Sequence, residues 1–152
     1  MMHDLIARAR SSVTGSRRPK SVYLRRAVSD AYYALFHALA SMCADQLIGV
    51  TMRNCEAWRR VYRGLDHGAA KKAFQRQDVQ SLNPAIGRIG LAFVQLQEER
   101  HSADYDPVSV LRRRSDVEPL ILLAETAIND VQSLGADLAR ELAAILIVKA
   151  RN

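Results

Sequence analysis

Residues 19–49 read PKSVYLRRAVSDAYYALFHALASMCADQLIG, and the periodicity of this one stretch decides the fold class. Leu24, Val28, Tyr32, Leu35, Leu39 and Met42 recur at intervals of three and four, the spacing of one face of an α-helix. Pro19 stands ahead of the pattern, where its fixed φ and missing N–H suit a helix start. Gly49 follows it, where glycine commonly ends a helix. The stretch therefore predicts a long amphipathic helix running to about Ile48.

The same signal recurs in both directions. Upstream, Asp4 to Val13 is a short helical candidate, closed by Thr14, Gly15 and Ser16. Downstream, Arg53 to Arg63 reads as a helix with Trp58 and Tyr62 one turn apart, broken at Gly64. Asp66 can cap the next helix, whose apolar side carries Ala70 and Phe74. Asn83 as cap and Pro84 at the first helical position open a further helix, with Ile86, Ile89, Phe93 and Leu96 on one face. Gly87 and Gly90 inside it cost roughly 1 kcal/mol each against Ala, which fits a place where helices pack closely. Asp106-Pro107 ends this segment.

Ser115 opens the last helical region, with Pro119 in its first turn and a stripe of Val117, Ile121, Ala124, Ile128, Val131, Leu138, Leu142 and Ile145. Gly135 interrupts that stripe, which leaves one long helix or two consecutive ones. The end, Ala143 to Val148, is apolar on more than one side and needs cover from another helix or another chain. No segment alternates with period two. The expectation is an all-α, antiparallel up-and-down bundle of about four to five helices. Residues 1–18 would form a basic N-terminal arm with a short helix, and residues 19–152 the bundle with its extended C-terminal helix.

Composition narrows the function classes. A chain of 152 residues with 49% apolar and 25% charged residues is ordinary globular material for one domain. Two cysteines, Cys43 and Cys55, supply neither a disulfide scaffold nor a four-thiolate zinc site. No run approaches 18 apolar residues, so no membrane partner is expected, and free thiols suit a reducing cytoplasm. The net charge of +6 lies entirely in the first 28 residues, where seven basic residues face Asp4 alone; the remainder is balanced. Arg17, Arg18 and Lys20, together with Arg112, Arg113 and Arg114 in the loop before the last helix, are phosphate-binding candidates. A solvated terminus and a solvated loop are the plainer alternatives. Asp4 and the helix that follows argue against an organelle-targeting peptide.

Two features point to chemistry. On the long helix, Arg26, Ser29, Asp30, Tyr33 and His37 form a polar stripe beside the apolar one. Such a stripe is either a hydrogen-bonded seam between helices or the lining of a cleft. On the later helix, Arg100 continues the apolar stripe of Leu96 by one turn. A guanidinium drawn inward is costly unless a carboxylate satisfies it. Asp104 lies one turn beyond and Asp30 on the other helix, so Arg100 is predicted to pair with a carboxylate beside the long helix. His67 shares a side with Ala70 and Phe74, a position that suits capping or packing as well as proton transfer.

Other site types are absent from the sequence. There is no GxGxxG or Walker loop, no HExxH and no CxxC. His37, His67 and His101 are too scattered for a metal site, and no cofactor is expected. Cys43, beside Met42 and Leu47, reads as an inert core thiol.

The run from Arg26 to His37, RAVSDAYYALFH, resembles the first core helix of HEPN domains. The segment Arg100 to Asp106, RHSADYD, resembles the family's later Arg-x-x-Ala-Asp-Tyr element, and His67 to Phe74 looks like its intervening helix. The resemblance covers roughly residues 20 to 135 in the family's order. It implies a helical bundle that often dimerises. It also implies a choice of roles: a metal-independent ribonuclease, a toxin paired with a small nucleotidyltransferase, or a non-catalytic binding module. In the ribonuclease members, an Arg followed after four to six residues by a His serves phosphate binding and proton transfer.

This chain departs from that pattern. The corresponding positions after Arg100 are Tyr105, Asp106 and Pro107, and His101 is adjacent to Arg100. Arg60 and His67 have the right separation but straddle the Gly64 break. The leading expectation is therefore a homodimeric binding module for a nucleic acid, a nucleotide or a partner protein, with a small nucleotidyltransferase as the partner the resemblance implies. In it, the stripe Arg26, Ser29, Asp30, Tyr33 and His37 would face Arg100, Asp104 and Tyr105. The alternatives are an endoribonuclease using Arg100 with His37 or His67, and a structural dimerisation module built on the last helix.

Overall fold

The computed structural model describes residues 1–17, 19–106 and 113–149. The chain is all-α, and the described residues contain no strand. Its helices are α1 (Met2–Thr14), α2 (Ser21–Leu47), α3 (Glu56–Gly64), α4 (His67–Phe74), α5 (Gln77–Gln80), α6 (Pro84–Tyr105), α7 (Arg114–Ser133) and α8 (Ala136–Ile147), with a 3₁₀ turn at Val50–Met52.

Eight α-helices among the described residues exceed the expected four to five. The helix with no signal of its own in the sequence is α5; the break before α4 follows the Gly64 and Asp66 signals, and the one at Gly135 decides between one last helix and two. Leu65 and Asp66 separate α3 from α4, and Asp66 caps α4 by accepting from the Ala69 N–H at 2.7 Å. The turn at Gln75 and Arg76 splits off α5, a single turn that carries no clear periodic signal of its own. Leu134 and Gly135 divide α7 from α8, so the last region is two helices. Asn83 caps the start of α6 by accepting from the Ala85 N–H at 2.8 Å, with Pro84 as its first residue. One start signal differs. α7 begins at Arg114, which places Pro119 inside the helix and beyond its first turn. Asp116 reaches back to accept from the Arg113 N–H at 3.0 Å, a side-chain cap one residue ahead of the helix.

The chain folds into two compact units. The first comprises Met1–His37 and Ala92–Ile128, the second Ala38–Leu91 and Asn129–Asn152.

In the first unit, Leu24, Val28, Tyr32 and Leu35 of α2 are buried, as are Phe93 and Leu96 of α6. The Tyr32 and Phe93 rings meet at 5.5 Å between centroids. α1 belongs to this unit and buries Ala9 and Val13.

In the second unit, Phe74 of α4 is buried and lies against Gly90 of α6, where an added Cβ would come within 2.9 Å of the Phe74 ring. That close approach is the reason for glycine at this point of a helix. α8 packs on α4 and buries Ala139, Leu142, Ala143 and Leu146. The apolar C-terminal helix thus finds cover within its own chain.

Candidate functional site

The site residues are brought together by the way α2 and α6 pair within the first unit. The carbonyls of a helix's last turn have no partner inside the helix. Arg25, at the start of α2, donates to two oxygens at the end of α6: Ala103 O at 3.1 Å and Asp106 O at 3.0 Å. One turn along α2, the Ser29 hydroxyl donates to Asp104 Oδ1 at 2.7 Å. Further along α2, Tyr32 meets Phe93, which lies earlier in α6. These three levels fix the two helices antiparallel here.

Arg100 sits between those levels. Its side chain is 17% exposed, and its Nε donates to Asp104 Oδ2 at 3.0 Å. Its guanidinium carbon stands 5.5 Å from the Tyr32 ring centroid and 5.2 Å from that of Tyr33. Both distances fall within the range of cation–π attraction. The predicted pairing of Arg100 with a carboxylate beside the long helix is therefore made by Asp104, whose second oxygen is held by Ser29. Among the described residues, the two Nη groups of Arg100 have no acceptor. The arrangement fixes a guanidinium on its Nε side and on its ring-facing side, and leaves its terminal fork able to receive an anion.

Asp30 is not part of this arrangement. Among the described residues it is the buried charged residue, 4% exposed, and Arg8 of α1 holds it with a two-pronged contact. Arg8 Nε donates to Asp30 Oδ2 at 2.7 Å and Nη2 to Oδ1 at 2.5 Å. That hydrogen-bonded pair raises the pKa of Arg8 above its ordinary value, with the carboxylate's charge adding to the effect. A neighbouring pair joins Arg10 to Glu125 of α7, where Arg10 Nε donates at 2.8 Å. The positive charge assigned to the N-terminal arm is thus partly consumed inside the first unit.

The remaining candidates divide as follows. Arg26 lies one turn before Ser29, is exposed and forms no ion pair among the described residues. The ring of His37 lies 6.3 Å from that of Tyr33, so Tyr33 touches both the imidazole and the guanidinium. Tyr105 does not face the stripe: it is 67% exposed and packs on His101 of its own helix. His67 opens α4 in the second unit. Arg17, Lys20 and Arg113 are exposed. Arg114 is the first residue of α7 and not a loop residue, and its guanidinium donates to the Ser16 carbonyl. Arg18 and Arg112 lie outside the described residues.

Sequence reasoning missed Arg8, Arg25 and Tyr32 as contributors. Arg8 is 22 residues from its partner, a separation that carries no periodic signal. Tyr32 belongs to the apolar stripe, and a ring that serves core and cation together looks the same in sequence as a core ring. Arg25, in the second turn of α2, belongs to neither the apolar stripe nor the polar one, so its spacing named no role for it.

Among the described residues, no group of three or more His, Cys, Asp or Glu is placed to hold a metal ion. No helix there is long and apolar enough to cross a membrane. No protein-family model, curated protein or solved structure matches this chain.

Proposed function

We propose that this chain is a HEPN-like, non-catalytic binding module whose Arg100 site takes a phosphate group of RNA or of a nucleotide. One observation carries the reading: Arg100 is held by Asp104 and by two tyrosine rings, yet its Nη fork keeps no acceptor among the described residues. A guanidinium serving packing alone gains by filling its terminal donors. One that is oriented and left open is set up for two-pronged contact with a phosphate. Arg26, exposed one turn from Ser29, adds a second positive charge on the same side of α2.

Fluorescence anisotropy with a labelled single-stranded RNA tests this. Arg100→Ala is expected to weaken binding at least tenfold, the loss typical of a charge-assisted contact. Arg100→Lys is expected to recover only part of it, because the fork is lost. Wild-type affinity should fall as salt rises, with a log–log slope of about −0.7 for each phosphate contacted. Equal affinities of the wild type and Arg100→Ala would overturn the reading.

A metal-independent endoribonuclease is the second reading. It is favoured by one contact: Tyr33 adjoins both Arg100 and His37, which sets an imidazole on the guanidinium's side of α2. It requires RNA cleavage in EDTA that both Arg100→Ala and His37→Ala abolish. Intact RNA after incubation with the wild type removes it.

A further inference from the structure

Tyr105 ends α6 one residue beyond Asp104, and it is among the most exposed large side chains of the chain at 67%. Its ring packs on that of His101 at 4.9 Å between centroids and 46° between planes. His101 is itself exposed. Two adjoining rings on the water side of a helix leave aromatic surface open to solvent. Successive helical residues point about 100° apart, so the His101–Tyr105 pair occupies the face of α6 next to the one carrying Arg100 and Asp104. The hydrogen bonds of Arg25 to Ala103 and Asp106 hold the backbone on either side of Tyr105 against α2. The ring is therefore mounted on an anchored turn.

We propose that the His101–Tyr105 pair is a base-stacking platform and that the ligand of the Arg100 site is a single-stranded nucleic acid. This rests on the reading of Arg100 as a phosphate site and deepens it by naming what the phosphate is attached to. A phosphate alone, or an acidic peptide, has no use for an exposed aromatic pair beside the guanidinium. A nucleotide with an unpaired base presents a charged group and a flat apolar face on one flexible unit. Stacking of bases on aromatic side chains combined with basic contacts to the backbone is how single strands are held without sequence preference. A duplex hides its base faces and gains nothing from such a platform.

The test compares two labelled probes of equal length, a single-stranded oligonucleotide and its abasic sugar-phosphate counterpart, across four proteins. The wild type is expected to prefer the base-bearing probe about tenfold, the scale of one stacked base. Tyr105→Ala is expected to lose that preference while its affinity for the abasic probe is unchanged. Tyr105→Trp should keep the preference, which separates stacking from any loss of the hydroxyl. Arg100→Ala should weaken both probes alike. If Tyr105→Ala retains the preference, the platform is wrong although the phosphate site can stand. If Arg100→Ala binds both probes as the wild type does, the phosphate site falls and the platform with it. Failure of the wild type to bind either probe overturns both.

Discussion

Asp30 shows how one residue can look like a site in sequence and be a structural element in the fold. It belongs to the polar stripe of α2, yet it is buried and bound by both prongs of Arg8. A buried carboxylate that loses its donors keeps its desolvation penalty. Arg8→Ala is therefore expected to destabilise the protein by about 2 kcal/mol, read as a lower urea midpoint with an unchanged slope. Pairing Arg8→Ala with Asp30→Asn should recover part of the loss, since the amide carries no charge. Full wild-type stability in Arg8→Ala would show that the contact contributes nothing. Arg100 and Asp30 were both legible as polar groups on helical faces, and Asp104 was one of two candidate partners for Arg100, but the partner of Asp30 was not legible. Spacing along one helix points to Asp104, four residues from Arg100. It says nothing about a guanidinium 22 residues away on another helix.

At the scale of elements, the glycines separate packing from propensity. Gly90→Ala gains roughly 1 kcal/mol of helix propensity, but its Cβ would lie 2.9 to 3.3 Å from three atoms of the buried Phe74 side chain. Overpacking costs about 1–3 kcal/mol, so the net effect is expected to be a loss of stability. Gly64, the last residue of α3, has nothing within 4 Å of an added Cβ. Gly64→Ala is therefore expected to raise the thermal midpoint. Calorimetry on the two variants should move in opposite directions, and a shared direction would refute the packing account. The long elements were the most legible, because α2 and α6 carry enough turns for their apolar stripes to stand out. Among the short ones only α5, of four residues, escaped. The cap of α3 is Cys55, whose sulfur accepts from the Trp58 N–H at 3.4 Å, a residue type that gives no start signal in sequence.

For the whole molecule, alkaline pH offers a clean test of the buried core. Burial pushes the Cys43 thiol up from its ordinary 9.0 to about 12. The folded chain keeps this proton where the unfolded chain releases it. The stability is fully present below pH 9 and is lost between pH 9 and about 12. The slope should approach about 1.4 kcal/mol per pH unit. The measurement is the urea midpoint by circular dichroism at pH 8 and pH 10.5. The wild type should fall more steeply than Cys43→Ala, and parallel behaviour would refute the assignment. The sequence reading of Cys43 as an inert core thiol required only apolar neighbours on a helix, and burial is the physical reason it is inert. The charge distribution was less legible. The N-terminal excess of +6 marks the arm as basic without saying which of its cations are paired, whereas Arg8 and Arg10 spend their charge on Asp30 and Glu125. Only folding shows which cations remain open to solvent.

Trp58 is the chain's single tryptophan, and its indole N–H donates to Asp45 Oδ1 at 3.0 Å while its ring stacks on Tyr62 at 5.1 Å. Asp45 is also gripped by Arg53, so the indole is moored to a carboxylate that is itself held. Both ends of that mooring belong to the second unit. Tryptophan emission from this protein is therefore a local gauge whose wavelength and polarisation follow the Asp45 tether. An optical titration of the Arg100 site needs its own chromophore, and Tyr105→Trp would supply one at the ring in question.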